Sequence, residues 1–176
     1  MRVLVAYSSK YGATRGIADR IADRLRDADH EVDIERCDDV EFPEGFDAFV
    51  IGSAAYLGKW RSEARKFVRR NHALLAGRPV WLFSSGPLGT ARVDADGNDV
   101  LAAAQPKEFD EFDELIHPRG NTVFFGALDP EHLRGRDRIV SWMPENDALP
   151  AGDFRDWDAI DAWGRMVAAD LAAQPA

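Results

Sequence analysis

Short apolar runs alternating with helix-periodic segments constrain this chain more than any other feature. Residues 2–7, 46–54, 79–86 and 121–128 ("RVLVAY", "FDAFVIGSA", "PVWLFSSG", "NTVFFGAL") read as strands. Val32 and Ile34 in "HEVDIER" alternate with polar residues, as on an edge strand. Between them, 14–28 carries Ile17, Ile21 and Leu25 at helical spacing. Residues 60–76 read as an amphipathic helix with Phe67, Val68, Leu74 and Leu75, residues 106–117 as another, and 156–173 as the last, with Trp157, Ile160, Trp163, Val167 and Leu171. Strands that alternate with helices pair in parallel through right-handed crossovers. The central strands are apolar on both faces, which requires helices on both sides of the sheet. The pattern therefore predicts a doubly wound α/β sheet of about five strands, with its ligand site beyond the carboxyl ends of the strands.

The 176 residues suit a single domain, 1–176, and 45% hydrophobic content suits a folded core. A net charge of −9 argues against general nucleic-acid binding, which needs a basic face. The lone cysteine, Cys37, cannot form an internal disulfide, so a reducing cytoplasm is expected. No apolar run reaches transmembrane length and no signal-like segment opens the sequence, so at most peripheral membrane contact is expected. The four histidines are dispersed, and no metal site is expected.

Three strand ends share one composition: "SSKYGAT", "GSAAYLGKW" and "SSGPLGT" are rich in serine, glycine and small residues. Three such loops would meet at one edge of the sheet. The first enters a helix N-terminus, where backbone N–H groups and the dipole favour an anion. Gly12 would let the backbone approach it, and Ser9 and Thr14 would add hydroxyls. Neither the GxxxxGK[ST] nor the GxGxxG fingerprint is present, and the Ser9–Thr14 spacing suits a monophosphate better than a pyrophosphate. A strand end followed by a helix cap at Thr14 explains the same residues.

The stretch Ser9-Lys10-Tyr11-Gly12-Ala13-Thr14 resembles the [ST]-x-T-G-x-T loop of the flavodoxin-like proteins, with Tyr11 at the third position. Through "SSKYGATRGIAD", "FVIGSAAYLGKWRSEARKFVRR" and "GALDPEHLRGRDRIVSWM" the chain is most similar to their menaquinone-dependent protoporphyrinogen dehydrogenase branch. The resemblance implies a three-layer sandwich around a five-stranded parallel sheet of order 2-1-3-4-5. It implies FMN, with its phosphate on residues 9–14. The ring would lie between a first loop, Ala54, Ala55, Tyr56, Leu57 and Gly58, and a second, Ser85, Gly86, Pro87, Leu88 and Gly89. It also implies an FMN-dependent oxidoreductase, linked to a quinone in the protoporphyrinogen dehydrogenase manner. The alternative is a soluble electron carrier. The partners would be a small-molecule electron donor or acceptor, or a redox partner protein.

The residue chemistry bears on that choice. Ala54 and Ala55 leave room for a ring, and Tyr56 would cover one face, ordinary surface packing being its other reading. Trp60 reads as a core anchor rather than a ring partner. The second loop lacks the aromatic usual in carriers. Lys59, Arg61, Arg65, Lys66, Arg69 and Arg70, against Glu63 alone, form a basic flank that would favour an anionic reduced flavin; a solvated helix face explains the same charges. No side chain is assigned as catalytic, because a flavin carries its own chemistry.

Residues 129–155 form a long extra connection before the last helix. "LRGRDRIVSWMPEN" within it reads as a short helix: Arg134, Arg136 and Arg138 would meet the carboxylates of an anionic substrate and its apolar residues a membrane or a quinone, while an ordinary lid packed on the domain explains the same residues. "DADGNDV" (94–100) departs from a calcium loop and reads as a turn, and Cys37 reads as inert.

Overall fold

The computed structural model describes residues 1–129 and 150–173. Five strands form the parallel sheet: β1 (Arg2–Ser8), β2 (Glu31–Arg36), β3 (Ala48–Tyr56), β5 (Val80–Ser85) and β6 (Gly120–Phe124). Their order is β2-β1-β3-β5-β6, with a two-residue strand β4 (Lys59–Trp60) folded back on β3. Counting the parallel strands alone, this is the expected 2-1-3-4-5 arrangement.

The layers follow from strand alternation. Val3, Val5, Val50, Trp81 and Phe83 face one side, beneath α1 (Ala13–Arg26) and α6 (Trp157–Ala172). Leu4, Phe49, Ile51, Val80 and Leu82 face the other, beneath α2 (Ser62–Arg70) and α5 (Glu108–Ile116), with short helices α3 (His72–Leu75) and α4 (Val100–Ala103) beside them. Ile17, Ile21 and Leu25 of α1 meet Ile160, Val167 and Leu171 of α6 over the first face. Each such side chain contributes about 1.5–3 kcal/mol by leaving water, so the helical periodicity specifies which face packs.

Two expectations require correction. Residues 60–76 are not one helix. Trp60 belongs to a hairpin, and Asn71 separates α2 from α3. Trp60 is 1% exposed, with Phe109 and Phe112 edge-on to it at 5.7 and 5.6 Å. Packing against α5 thus outweighs helix propensity at this position, and Trp60 is the core anchor expected. The strand expected over 121–128 is also two pieces. The chain leaves the sheet after Phe124, and β7 (Ala127–Leu128) pairs antiparallel with β8 (Gly152–Asp153). The helix read in 133–146 and Arg134, Arg136 and Arg138 lie outside the described residues.

"DADGNDV" is the turn expected: the Asp94 carboxylate accepts the N–H groups of Asp96 and Asn98 at 2.9 and 2.8 Å.

Candidate functional site

The register of the central strands brings the three small-residue loops together. Ser8 stands beside Ser53, and Ser53 beside Ser84, so β1 and β5 end within one residue of each other on either side of β3, which runs on into its hairpin. All three serines are fully buried. The chain then leaves the sheet as three adjacent loops, which surround a cavity of about 390 Å³.

Its wall nearest β1 is the turn into α1. Gly12 is the N-cap residue, at φ 91°, where a side chain would be strained. No side chain caps α1, so its first-turn N–H groups keep no partner from a cap. The Ser9 hydroxyl accepts the Gly12 N–H at 3.0 Å and closes the loop. Thr14 lies inside the first turn, not at the cap. It lines the cavity, is 1% exposed, and its Oγ1 has no hydrogen-bond partner. A buried hydroxyl left without a partner costs about 1–3 kcal/mol. The cap reading of Thr14 therefore fails, and an uncapped helix start, a left-handed glycine and an orphan hydroxyl together fit a bound anion. Tyr11 also lines the cavity. Lys10 is exposed, with its ammonium 5.2 Å from the Tyr11 ring centre.

The second wall is the β3–β4 hairpin. Leu57 and Gly58 occupy its turn with φ of 52° and 68°. Positive φ at both central residues matches the twist of a two-residue hairpin. A leucine rarely adopts it, and here Leu57 is 100% exposed at the cavity mouth. Helix α5 holds the hairpin from behind. Lys107 donates its N–H to the Gly58 carbonyl at 3.1 Å, and the buried Glu108 carboxylate accepts the Trp60 N–H at 3.0 Å. At the root of the hairpin the Arg61 N–H reaches Ser53 Oγ, and the Arg61 Nε reaches Ser8 Oγ, both at 3.1 Å.

The third wall joins the loop after β5 to the segment after β6. Gly86 donates to the Phe124 carbonyl at 3.2 Å, and Gly126 to the Pro87 carbonyl at 2.9 Å. Phe154 in turn donates to the Gly126 carbonyl at 3.1 Å. Gly126, Ala127, Leu128 and Pro150 therefore line the cavity beside Ser85, Gly86, Pro87 and Leu88.

Twelve of the sixteen residues expected at the site line the cavity: Ser9, Tyr11, Ala13, Thr14, Ala54, Ala55, Tyr56, Leu57, Ser85, Gly86, Pro87 and Leu88. Lys10, Gly12, Gly58 and Gly89 do not. The three glycines have positive φ and set the path of their loops instead. Sequence reasoning missed Gly126, Ala127, Leu128 and Pro150; "GAL" continued the small-residue pattern, but an unbroken strand reading hid it.

Three of the six residues of the basic flank are paired with acids. Arg61 pairs with Glu63, Arg65 lies 3.6 Å from Glu108, and Arg69 grips Glu111 through two 2.7 Å bonds. Arg65 and Arg69 join α2 to α5. No described residue that lines the cavity is charged, although 30% of the chain is.

A doubly wound sheet of this order, with an anion-ready loop after the first strand and an apolar slot beside it, defines a flavodoxin-like architecture. Solved structures share it. An archaeal flavodoxin superposes with TM-score 0.59 at 16% identity, covering 98% of this chain and 99% of that one. Oxidised flavodoxin 2 from Bacillus cereus gives 0.58 at 22% identity, covering 97% and 99%. Rubredoxin oxygen:oxidoreductase of Desulfovibrio gigas gives 0.64 at 13% identity, covering 98% of this chain but 36% of that one. The flavodoxin domain family model matches residues 4–149, and the chain belongs to this FMN-binding family. Protoporphyrinogen IX dehydrogenase [quinone] of Escherichia coli K12 is 29% identical over 182 aligned positions, covering 96% of this chain and 95% of that protein. Among the described residues, no helix is long and apolar enough to cross a membrane.

Proposed function

We propose that this single-domain protein is an FMN-dependent oxidoreductase that passes two electrons from a reduced substrate to a small, neutral, apolar acceptor of the quinone class. The FMN phosphate would sit on residues 9–14, against the first-turn N–H groups of α1 and the Thr14 hydroxyl. The ring would lie between Ala54–Leu57 and Ser85–Leu88, with Tyr56 over one face. Bound there, FMN supplies the electron-transfer chemistry. The chain's own residues hold the phosphate, shape a dry slot and keep ionised groups away from it.

The observation that carries this reading is the uncharged lining of the cavity. A carrier that docks to protein partners uses complementary surface charge for encounter. An apolar mouth with a fully exposed leucine suits a small hydrophobic molecule better. The full-length similarity to a protein named for protoporphyrinogen IX and quinone supports the same class. Protoporphyrinogen oxidation is the specific activity proposed, and the lone buried thiol suits a cytoplasmic setting.

Thermal melting with and without excess FMN tests the cofactor reading, because a ligand that binds only the folded state raises the midpoint. The expected result is yellow protein with a higher midpoint in FMN. Colourless protein with an unmoved midpoint contradicts it.

A further inference from the structure

We propose that Arg155 is a positioning residue of the phosphate loop, strapping the first turn of α1 to the wall formed by β7 and β8. The inference rests on the reading that residues 9–14 take the FMN phosphate. Arg155 follows the two-residue strand β8 and lies far from that loop in sequence. In the fold its Nη1 donates to the Ala13 carbonyl at 3.2 Å. Ala13 lines the cavity.

The guanidinium is fixed on its other sides. Its Nε and Nη2 donate to the two carboxylate oxygens of Asp153 at 2.7 and 2.6 Å. Its face lies 4.4 Å from the centre of the Trp157 ring. The side chain is 17% exposed. The Arg155 hydrogen bonds hold the Asp153 carboxyl below the usual carboxylate range, against a smaller opposing effect of desolvation. A planar, always-charged fork held by carboxylate, ring and carbonyl has little freedom left.

One consequence follows for a bound phosphate. The Ala13 peptide belongs to the turn whose N–H groups would face the anion, so fixing its carbonyl fixes the direction of those donors. Asp153 balances the charge of the guanidinium, so the strap acts through the aim of the donors; it acts on the phosphate and leaves the flavin ring untouched.

Gly16 supplies an independent route to the same contact. A Cβ at Gly16 would come within 2.5 Å of Arg155 Nη1, the movable end of a flexible side chain. Alanine there would push the guanidinium off the Ala13 carbonyl. It would also remove a glycine from a helix interior, which stabilises a helix by about 0.5–1 kcal/mol.

The test compares dissociation constants for FMN and for riboflavin, which lacks the phosphate, by quenching of flavin fluorescence. Wild type, Arg155→Ala, Arg155→Lys and Gly16→Ala are measured, with thermal melting of each flavin-free protein. Arg155→Ala should weaken FMN about tenfold, through misaimed backbone donors rather than a lost contact to the phosphate, and leave riboflavin unchanged. Arg155→Lys should restore only part of the loss. Gly16→Ala should weaken FMN selectively while its melting midpoint stays level or rises; it carries the test even if Arg155→Ala does not fold. Equal losses for both flavins, or no change in the FMN-to-riboflavin ratio, overturn the role of Arg155. If wild type itself binds the two flavins equally, the phosphate reading fails, and this inference with it.

Discussion

The Ser9 hydroxyl accepts the Gly12 N–H at 3.0 Å, so a side chain expected to face a ligand also closes the loop that would hold one. Its proton remains available to an anion. Thr14 is the counterpart: equally well placed, buried, and with no partner for its Oγ1. The two hydroxyls of one motif thus have different duties, and substitution separates them.

Thr14→Val keeps the shape and removes the hydroxyl. FMN affinity should fall about tenfold, while the flavin-free protein melts at the same temperature or higher, because an unsatisfied buried group is gone. Ser9→Ala should lose stability as well as affinity, since it opens the loop. Fluorescence titration and thermal melting check both. A Thr14→Val protein that melts lower and binds FMN normally would make the hydroxyl structural.

Glu108 ties α5 to the hairpin that forms the second wall. Glu108→Ala leaves the Trp60 N–H buried without its acceptor, at a cost of about 1–3 kcal/mol. Urea unfolding should show a lower midpoint with an unchanged slope. A loss under about 0.5 kcal/mol, the range of ordinary surface changes, would mean that the bond contributes little.

Much of this arrangement was legible before the fold. Apolar runs and small-residue loop ends marked a parallel sheet of about five strands and the edge where its loops meet; the family resemblance implied the strand order and the sixteen site residues, twelve of which line the cavity. What escaped depended on contacts distant in sequence. Ala127–Leu128 pair with Gly152–Asp153 across a long connection, and nothing local marks that pairing. The hairpin at Leu57-Gly58 lacks the Asn-Gly signal of such turns, and Trp60 looks like the head of a helix until Phe109 and Phe112 are seen against it. Arg155 carried no signal, because its partner Ala13 is a backbone carbonyl.

Asp161 joins the two helices over one face of the sheet. Its carboxylate accepts two 2.6 Å bonds from Arg20, and Arg24 lies 3.5 Å away. The Arg20 hydrogen bonds, against some desolvation, hold its pKa below the usual range. A carboxyl with a lowered folded pKa stabilises the fold above its unfolded value, about 3.9, and that stability is lost as pH falls through the folded value. Asp161→Asn should therefore melt lower than wild type at pH 7, and the gap should shrink below about pH 4. Melting across pH checks this; a gap constant down to pH 2 would remove the charge from the explanation.

Cys37 is 2% exposed, and burial pushes its thiol far above the ordinary range. The thiolate is the reactive form, so a disulfide reagent such as DTNB should leave the native protein unlabelled and take one equivalent after unfolding. Rapid labelling of native protein would contradict the buried placement.

An uncharged cavity should serve a small apolar electron acceptor rather than a docking protein. Anaerobically reduced, FMN-loaded protein mixed in a stopped-flow instrument with menadione or with oxidised cytochrome c tests it most directly. Fast, saturable reoxidation by menadione and slow reoxidation by cytochrome c are expected, even though the acidic chain attracts that cationic protein. Fast reoxidation by cytochrome c with menadione slow would contradict it and make the protein an electron carrier.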